Sequence, residues 1–181
     1  VVSGSTADTL TLDESPLPDA GDGIASVTAS FADNFNAESI DYGTDGAGSV
    51  SYALVLNGED VGSGLYALGE DGAQGAQIVL NQSGDVITGS VGEAEYFTIS
   101  VDAESGEVTF AQSSNIWHAD TADDDDTATL TLEDGADLQI TQTVTDADGD
   151  QDSASINLGA GVFSIEDDGP SAVVGNATAD T

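Results

Sequence analysis

Short apolar segments that repeat every second residue are what most restrict the folds open to this chain. Val50, Tyr52, Leu54 and Leu56 share one face of an extended segment that stops at Asn57-Gly58, a dipeptide suited to a tight hairpin turn. Phe97, Ile99 and Val101 run into Asp102–Gly106, and Val108 and Phe110 run back out of it. Leu10 and Leu12, then Val27, Ala29 and Phe31, then Ile78 and Leu80, and Leu130 and Leu132 follow the same rule, as does the return segment Val86 to Val91 after Ser83-Gly84-Asp85. No stretch carries a helical period, and Thr, Val, Ser and Gly outweigh the helix formers other than Ala. About ten short strands with turns between them predict an all-β fold: an antiparallel β-sandwich, immunoglobulin-like with extra strands. A closed barrel would give a similar pattern.

One alternating pair holds the densest chemistry. In Leu138–Leu158, Leu138, Ile140 and Val144 are expected to face inward, with Thr141, Thr143 and Thr145 outward. Ile156 and Leu158 follow the turn, and Asp146, Asp148, Asp150 and Asp152 occupy its tip. Carboxylates so close repel unless a cation lies among them. The chain has 35 acidic residues, no Lys and no Arg, and a net charge of −35, so that cation must come from outside. With no Cys and one His, hard oxygen donors select Ca²⁺ or Mg²⁺, and Ca²⁺ best tolerates an irregular loop. The EF-hand template does not fit, because its sixth position is Gln151 instead of Gly and its twelfth is Asn157 instead of Glu. An exposed acidic turn is the plainer alternative.

Further acids extend the candidate set. Glu166, Asp167 and Asp168 precede Gly169-Pro170, and Asp13-Glu14 follows the first strand. Asp33-Asn34, Glu70-Asp71 and the run of Asp120 with Asp123 to Asp126 are weaker, since runs of like charge usually form solvated loops. The two ends also match. VVSGSTADT at 1–9 and VVGNATADT at 173–181 agree at six of nine positions, as a tandem array would. Residues 1–168 are accordingly read as one sandwich repeat, and 169–181 as a linker with the start of the next. A chain opening on Val1 is expected to be a piece of a longer one.

Several classes are disfavoured. Such negative charge opposes nucleic acid or an anionic membrane as partner. No apolar run has the length of a membrane span, and no signal peptide is visible. There are no cysteines for disulfides or thiolate sites. Nothing resembles a nucleophile elbow, a P-loop or a dinucleotide fingerprint. With these absent, no enzyme and no small-molecule substrate is expected. Trp117 is expected in the core, with His118 at a neighbouring edge.

Longer strings carry a resemblance. LTLDES (10–15), GIASVTASFADNF (23–35), GAQIVLNQSGDVITGSV (75–91), YFTISVDAESGEVTF (96–110), NIWHADT (115–121), LQITQTVTDADGD (138–150) and GVFSIEDDGP (161–170) resemble the tandem repeats of giant RTX adhesins, which Gram-negative bacteria export by type I secretion. The resemblance implies a calcium-dependent extender unit at the bacterial cell surface, monomeric when isolated. Its partners would be neighbouring repeats of the same chain. A ligand-binding adhesin module, for carbohydrate or another surface, is the alternative. In the extender reading, the Asp146 turn of one unit meets the Glu166–Asp168 segment of the unit before it. The C-terminal secretion signal and the glycine-rich calcium nonapeptides of such adhesins are absent from this sequence.

Overall fold

Alternation in the sequence becomes pleat in the structure, because a strand turns successive side chains to opposite faces. The computed structural model describes residues 8–14, 26–35, 40–123 and 126–167. Twelve strands follow in chain order: β1 (Leu10–Asp13), β2 (Ser26–Ser30), β3 (Ala47–Asn57), β4 (Val61–Leu68), β5 (Gln74–Ser83), β6 (Val86–Val91), β7 (Ala94–Val101), β8 (Glu107–Gln112), β9 (Thr127–Thr131), β10 (Asp137–Asp146), β11 (Gln151–Asn157) and β12 (Ala160–Glu166). Among the described residues, the only helical pieces are short 3-10 turns at Ala32–Asn34 and Glu70–Gly72.

The strands form a sandwich. One layer is a six-stranded antiparallel sheet in the order β2-β8-β7-β6-β5-β4. The other consists of two three-stranded sheets, β11-β10-β3 and β1-β12-β9. β3 packs over β5, β6 and β7, whereas β1 packs over β2 and β8. The all-β sandwich expected from the alternation is therefore the fold observed, with more strands than the seven to nine of an immunoglobulin domain. One pair departs from the antiparallel rule: β1 runs parallel to β12, with Leu10 opposite Phe163 and Asp13 opposite Glu166.

Aromatic rings join the layers. Phe97 on β7 and Phe110 on β8 meet edge to face at 5.5 Å between centroids, and Phe110 meets Phe163 on β12 at 5.2 Å. All three are fully buried. Gly89 lies opposite Phe97 in the β6–β7 register. A Cβ there would fall 2.4 Å from the ring, so the missing side chain is what lets Phe97 lie across its neighbour.

Local pattern and structure differ in three places. β4 was not anticipated, because Gly62, Ser63 and Gly64 break its alternation. In the structure Val61, Gly62 and Ser63 are buried in succession, and the β4–β5 register shifts between Gly62 and Tyr66. Val144, expected inside, is half-buried, while Gln142 takes the inward position before it and donates to Tyr52 Oη at 3.0 Å. The Trp117–His118 order is reversed: Trp117 is half-buried with its ring edge-on to Tyr66, and His118 is buried.

Because Phe110 touches aromatic partners in both layers, Phe110→Ala is expected to cost about 3–5 kcal/mol of stability. Urea unfolding monitored by fluorescence measures this, and a loss below about 1 kcal/mol would show that the ring does not join the layers.

Candidate metal centre

The tip of the β10–β11 hairpin is built around one carboxylate. The strands pair up to Thr145 opposite Gln151, and Asp146 N donates across the turn to Asp150 O at 3.0 Å. Asp146 Oδ1 then accepts the N–H groups of Asp148 (3.2 Å), Gly149 (3.0 Å) and Asp150 (2.9 Å). A hydrogen bond with the Asp148 side chain, followed by those backbone N–H groups, holds the Asp146 carboxyl below its ordinary range, although partial desolvation opposes the shift. Asp146 is thus a committed anion at neutral pH.

A second loop reaches the same place. The segment before β3 carries Asp45, and Ala147 N donates to Gly46 O at 3.1 Å, joining the two loops. The approach is close because Gly48 lacks a side chain: a Cβ there would lie 2.3 Å from Thr145 O and 2.4 Å from Asp146 O. The β3–β10 register shifts at this point, between Thr145 and Asp146. Asp45, Asp146 and Asp148 consequently bring carboxylate oxygens within 4.8 Å of one another. Oxygens held at about 2.3–2.6 Å from one Ca²⁺ lie up to about 5 Å apart, so the spacing suits one such ion. Beside them is an open depression of about 190 Å³ whose lining includes Asp41, Asp146, Asp150 and Asp152.

A separate cluster lies where β1 ends. Leu10 and Leu12 face the core, and the next residue on that face is Glu14, only 2% exposed. Its backbone N donates to Glu166 O at 2.9 Å, extending the parallel ladder. Glu14 Oε1 accepts from the Gln112 amide and from Ile116 N at 2.9 Å. Glu14 Oε2 faces His118 Nε2 at 3.7 Å. His118 is carried by the β8–β9 connection, which is anchored by the Ala67–Ile116 bridge and by Trp117 N donating to Tyr66 O. Asp167, just past β12, completes a trio whose ligand atoms also lie within 4.8 Å. Burial pulls the His118 pKa down, but the Glu14 carboxylate, with Asp167 and Asp126 behind it, outweighs that effect and leaves it raised.

The predicted ligands therefore separate into groups. Asp146 and Asp148 converge, joined by Asp45, which sequence reasoning missed because the β3–β10 pairing that delivers it is long-range. Asp150 and Asp152 border the depression but are not in the converging trio. Asp13 and Glu166 face each other in the β1–β12 register, and Glu14 and Asp167 converge on His118. His118 was missed as a potential ligand, although carrying the Leu10, Leu12 alternation one step further would have put Glu14 inside. Asp168, like Asp124 and Asp125, lies outside the described residues, as do 1–7 and 169–181, where the matching termini fall. Asp126 Oδ2 is taken by the N–H groups of Ala119 and Asp120, both at 2.9 Å.

A family model described as a domain of unknown function, DUF5801, matches residues 9–159. The chain belongs to the DUF5801 family. That match spans β1 to β11 and so includes Glu14, Asp45, His118 and the Asp146 turn, while Asp167 lies beyond it. No curated protein and no solved structure matches the chain.

Since Gly48 sets the approach of the Asp45 loop to the hairpin tip, Gly48→Ala is expected to break the Ala147–Gly46 hydrogen bond and cost about 1–3 kcal/mol. Amide hydrogen exchange should quicken at Ala147, and unchanged exchange there would show that the contact does not depend on the glycine.

Proposed function

We propose that this DUF5801 unit is a calcium-stabilised structural extender of a large bacterial surface adhesin. The observation that carries the reading is the meeting of Asp45, Asp146 and Asp148 in a chain with no Lys or Arg to answer them. Backbone N–H groups already occupy Asp146 Oδ1, which pre-orients the carboxylate before any ion arrives. Hard oxygens from two loops match what Ca²⁺ takes, and an ion there ties the β10–β11 tip to the entry of β3. Rigidity of this kind suits a spacer in a stalk outside the cell, where neighbouring repeats of the same chain are its partners. The matching terminal sequences support the tandem arrangement.

A ligand-binding module for carbohydrate is the second reading, and it would use the same acid-lined depression. At about 190 Å³ that depression is smaller than the roughly 300–1,000 Å³ of typical small-molecule sites, which favours an ion over a sugar. No catalytic role is assigned to this unit.

Calcium bound only to the folded state stabilises by about 2.7 kcal/mol at a hundredfold excess over Kd, which for a domain of this size is about 5–10 °C in Tm. Millimolar Ca²⁺ is therefore expected to raise Tm by that amount in calorimetry, and NaCl of equal ionic strength by much less. Asp146→Asn should remove most of the difference. Equal responses to both salts would reduce the effect to charge screening.

For a chain of two consecutive units, small-angle scattering with Ca²⁺ is expected to show an extended particle of defined length. Chelation should shorten it and broaden its distance distribution. Identical curves with and without chelator would remove calcium from the joint between units.

A further inference from the structure

His118 is the only side chain in the sequence able to carry a positive charge, yet it is not used as an ordinary surface base. It is 7% exposed, its side chain 4%, and among the described residues neither ring nitrogen has a hydrogen-bond partner. A buried imidazole without a hydrogen bond is costly, because both nitrogens have given up water, and the ion-pair contact with Glu14 is what offsets this. Nε2 lies 3.7 Å from Glu14 Oε2, close enough for an ion pair but too long for a hydrogen bond. Asp167 supplies a further carboxylate within 4.8 Å. The separation has a simple meaning if an atom belongs between the groups. Ligands at about 2.0–2.2 Å from a tetrahedral Zn²⁺ lie about 3.4 Å from one another, close to the 3.7 Å between His118 Nε2 and Glu14 Oε2.

We propose that Glu14, His118 and Asp167 form a binding site for a zinc-class divalent transition metal, distinct from the oxygen-only site at the Asp146 turn. The donor set decides the class. Ca²⁺ and Mg²⁺ take oxygen ligands, whereas an imidazole nitrogen beside carboxylates suits Zn²⁺ and its neighbours in the transition series. Glu14 is already oriented through its other oxygen by the Gln112 amide and Ile116 N–H, the kind of support that fixes a metal-bound carboxylate. Three protein ligands leave a fourth position for water. The ligands come from the end of β1, the β8–β9 connection and the residue after β12, so one ion would clamp β1, β12 and that connection together.

As the only histidine, His118 gives unambiguous ring signals. With Ca²⁺ held at saturation, one equivalent of Zn²⁺ is expected to shift the His118 ¹⁵N resonances to a single metal-bound pattern. Calorimetric titration should give one Zn²⁺ per chain, with affinity reduced at least about tenfold in His118→Gln and in Asp167→Asn. Asp167 is half-buried and outside the core, so the second variant keeps the test valid if the first fails to fold. Ring signals unmoved by Zn²⁺, or variants that bind Zn²⁺ as tightly as the wild type, overturn the proposal. A His118 ring that simply stays protonated against Glu14 would appear as the first of these results. Because Ca²⁺ is saturating throughout, a negative result here leaves the calcium response of the Asp146 turn separately measurable.

Discussion

With no Lys or Arg, the chain must satisfy its carboxylates, Glu14 beside His118 apart, with groups other than protein cations, and the structure shows which groups take over. Backbone N–H donors do most of it. Asp102 Oδ1 collects the N–H groups of Glu104 and Ser105 and the Ser105 hydroxyl, with Ser105 the main reason its carboxyl lies below the ordinary aspartate value. Asp146 and Asp126 hold three and two N–H groups in the same way. Side-chain amides and serine hydroxyls add to these, the latter as Ser113 Oγ donating to Glu95. Asn81 exchanges hydrogen bonds with Asp60, while Gln139 and Asn157 both donate to Asp137. These donors are dipoles, so they stabilise each anion locally without cancelling its charge. Turns consequently become the places where acid is tolerated, and the strands between them remain apolar on one face and uncharged on much of the other.

That division explains what could be read from the sequence. The β7–β8 hairpin was legible because Phe97, Ile99 and Val101 alternate up to an Asp-capped turn, and Val108 and Phe110 alternate away from it. The β3 and β5 segments were legible for the same reason. β4 was not, since two glycines and a buried serine interrupt its period. Ser63 Oγ donates to Ile78 O at 2.6 Å, a contact that makes burying a hydroxyl cheap but leaves no periodic trace. Sheet order was hidden for a different cause. β3 pairs with β10 across about half of the chain, and β1 with β12 across most of it, and alternation says which face of a strand is buried without saying which strand lies beside it.

The candidate sites divide along the same line. The Asp146 turn was visible because its ligands are adjacent in sequence and their crowding is a local fact. Asp45 arrives only through the β3–β10 pairing and the glycine that permits it. The Glu14 cluster draws on residues 14, 118 and 167, and no local pattern joins them. Its one sequence signal was an acid at the position where a core residue was due.

The two acidic clusters are unlike in what an unfilled site would cost. Asp45 and Asp148 are exposed, and Asp146 is already held by three N–H groups. Water can serve the remaining oxygens there, so the turn keeps its hydrogen-bonded form without an ion, and the tie from the β10–β11 tip to the entry of β3 is what a bound ion would add. Glu14 and His118 have no such recourse. Glu14 is almost fully enclosed, one of its oxygens is satisfied by fixed amides, and the other lies 3.7 Å from a ring whose nitrogens make no hydrogen bond among the described residues. Desolvation has already been incurred by folding, whether or not anything binds. A positive centre at that point, bound ion or ring proton, recovers more than it would in water because the surrounding dielectric is low. The exposed cluster is therefore open to solvent and to cations in it, and the enclosed one is suited to retaining a positive charge once folding has closed over it.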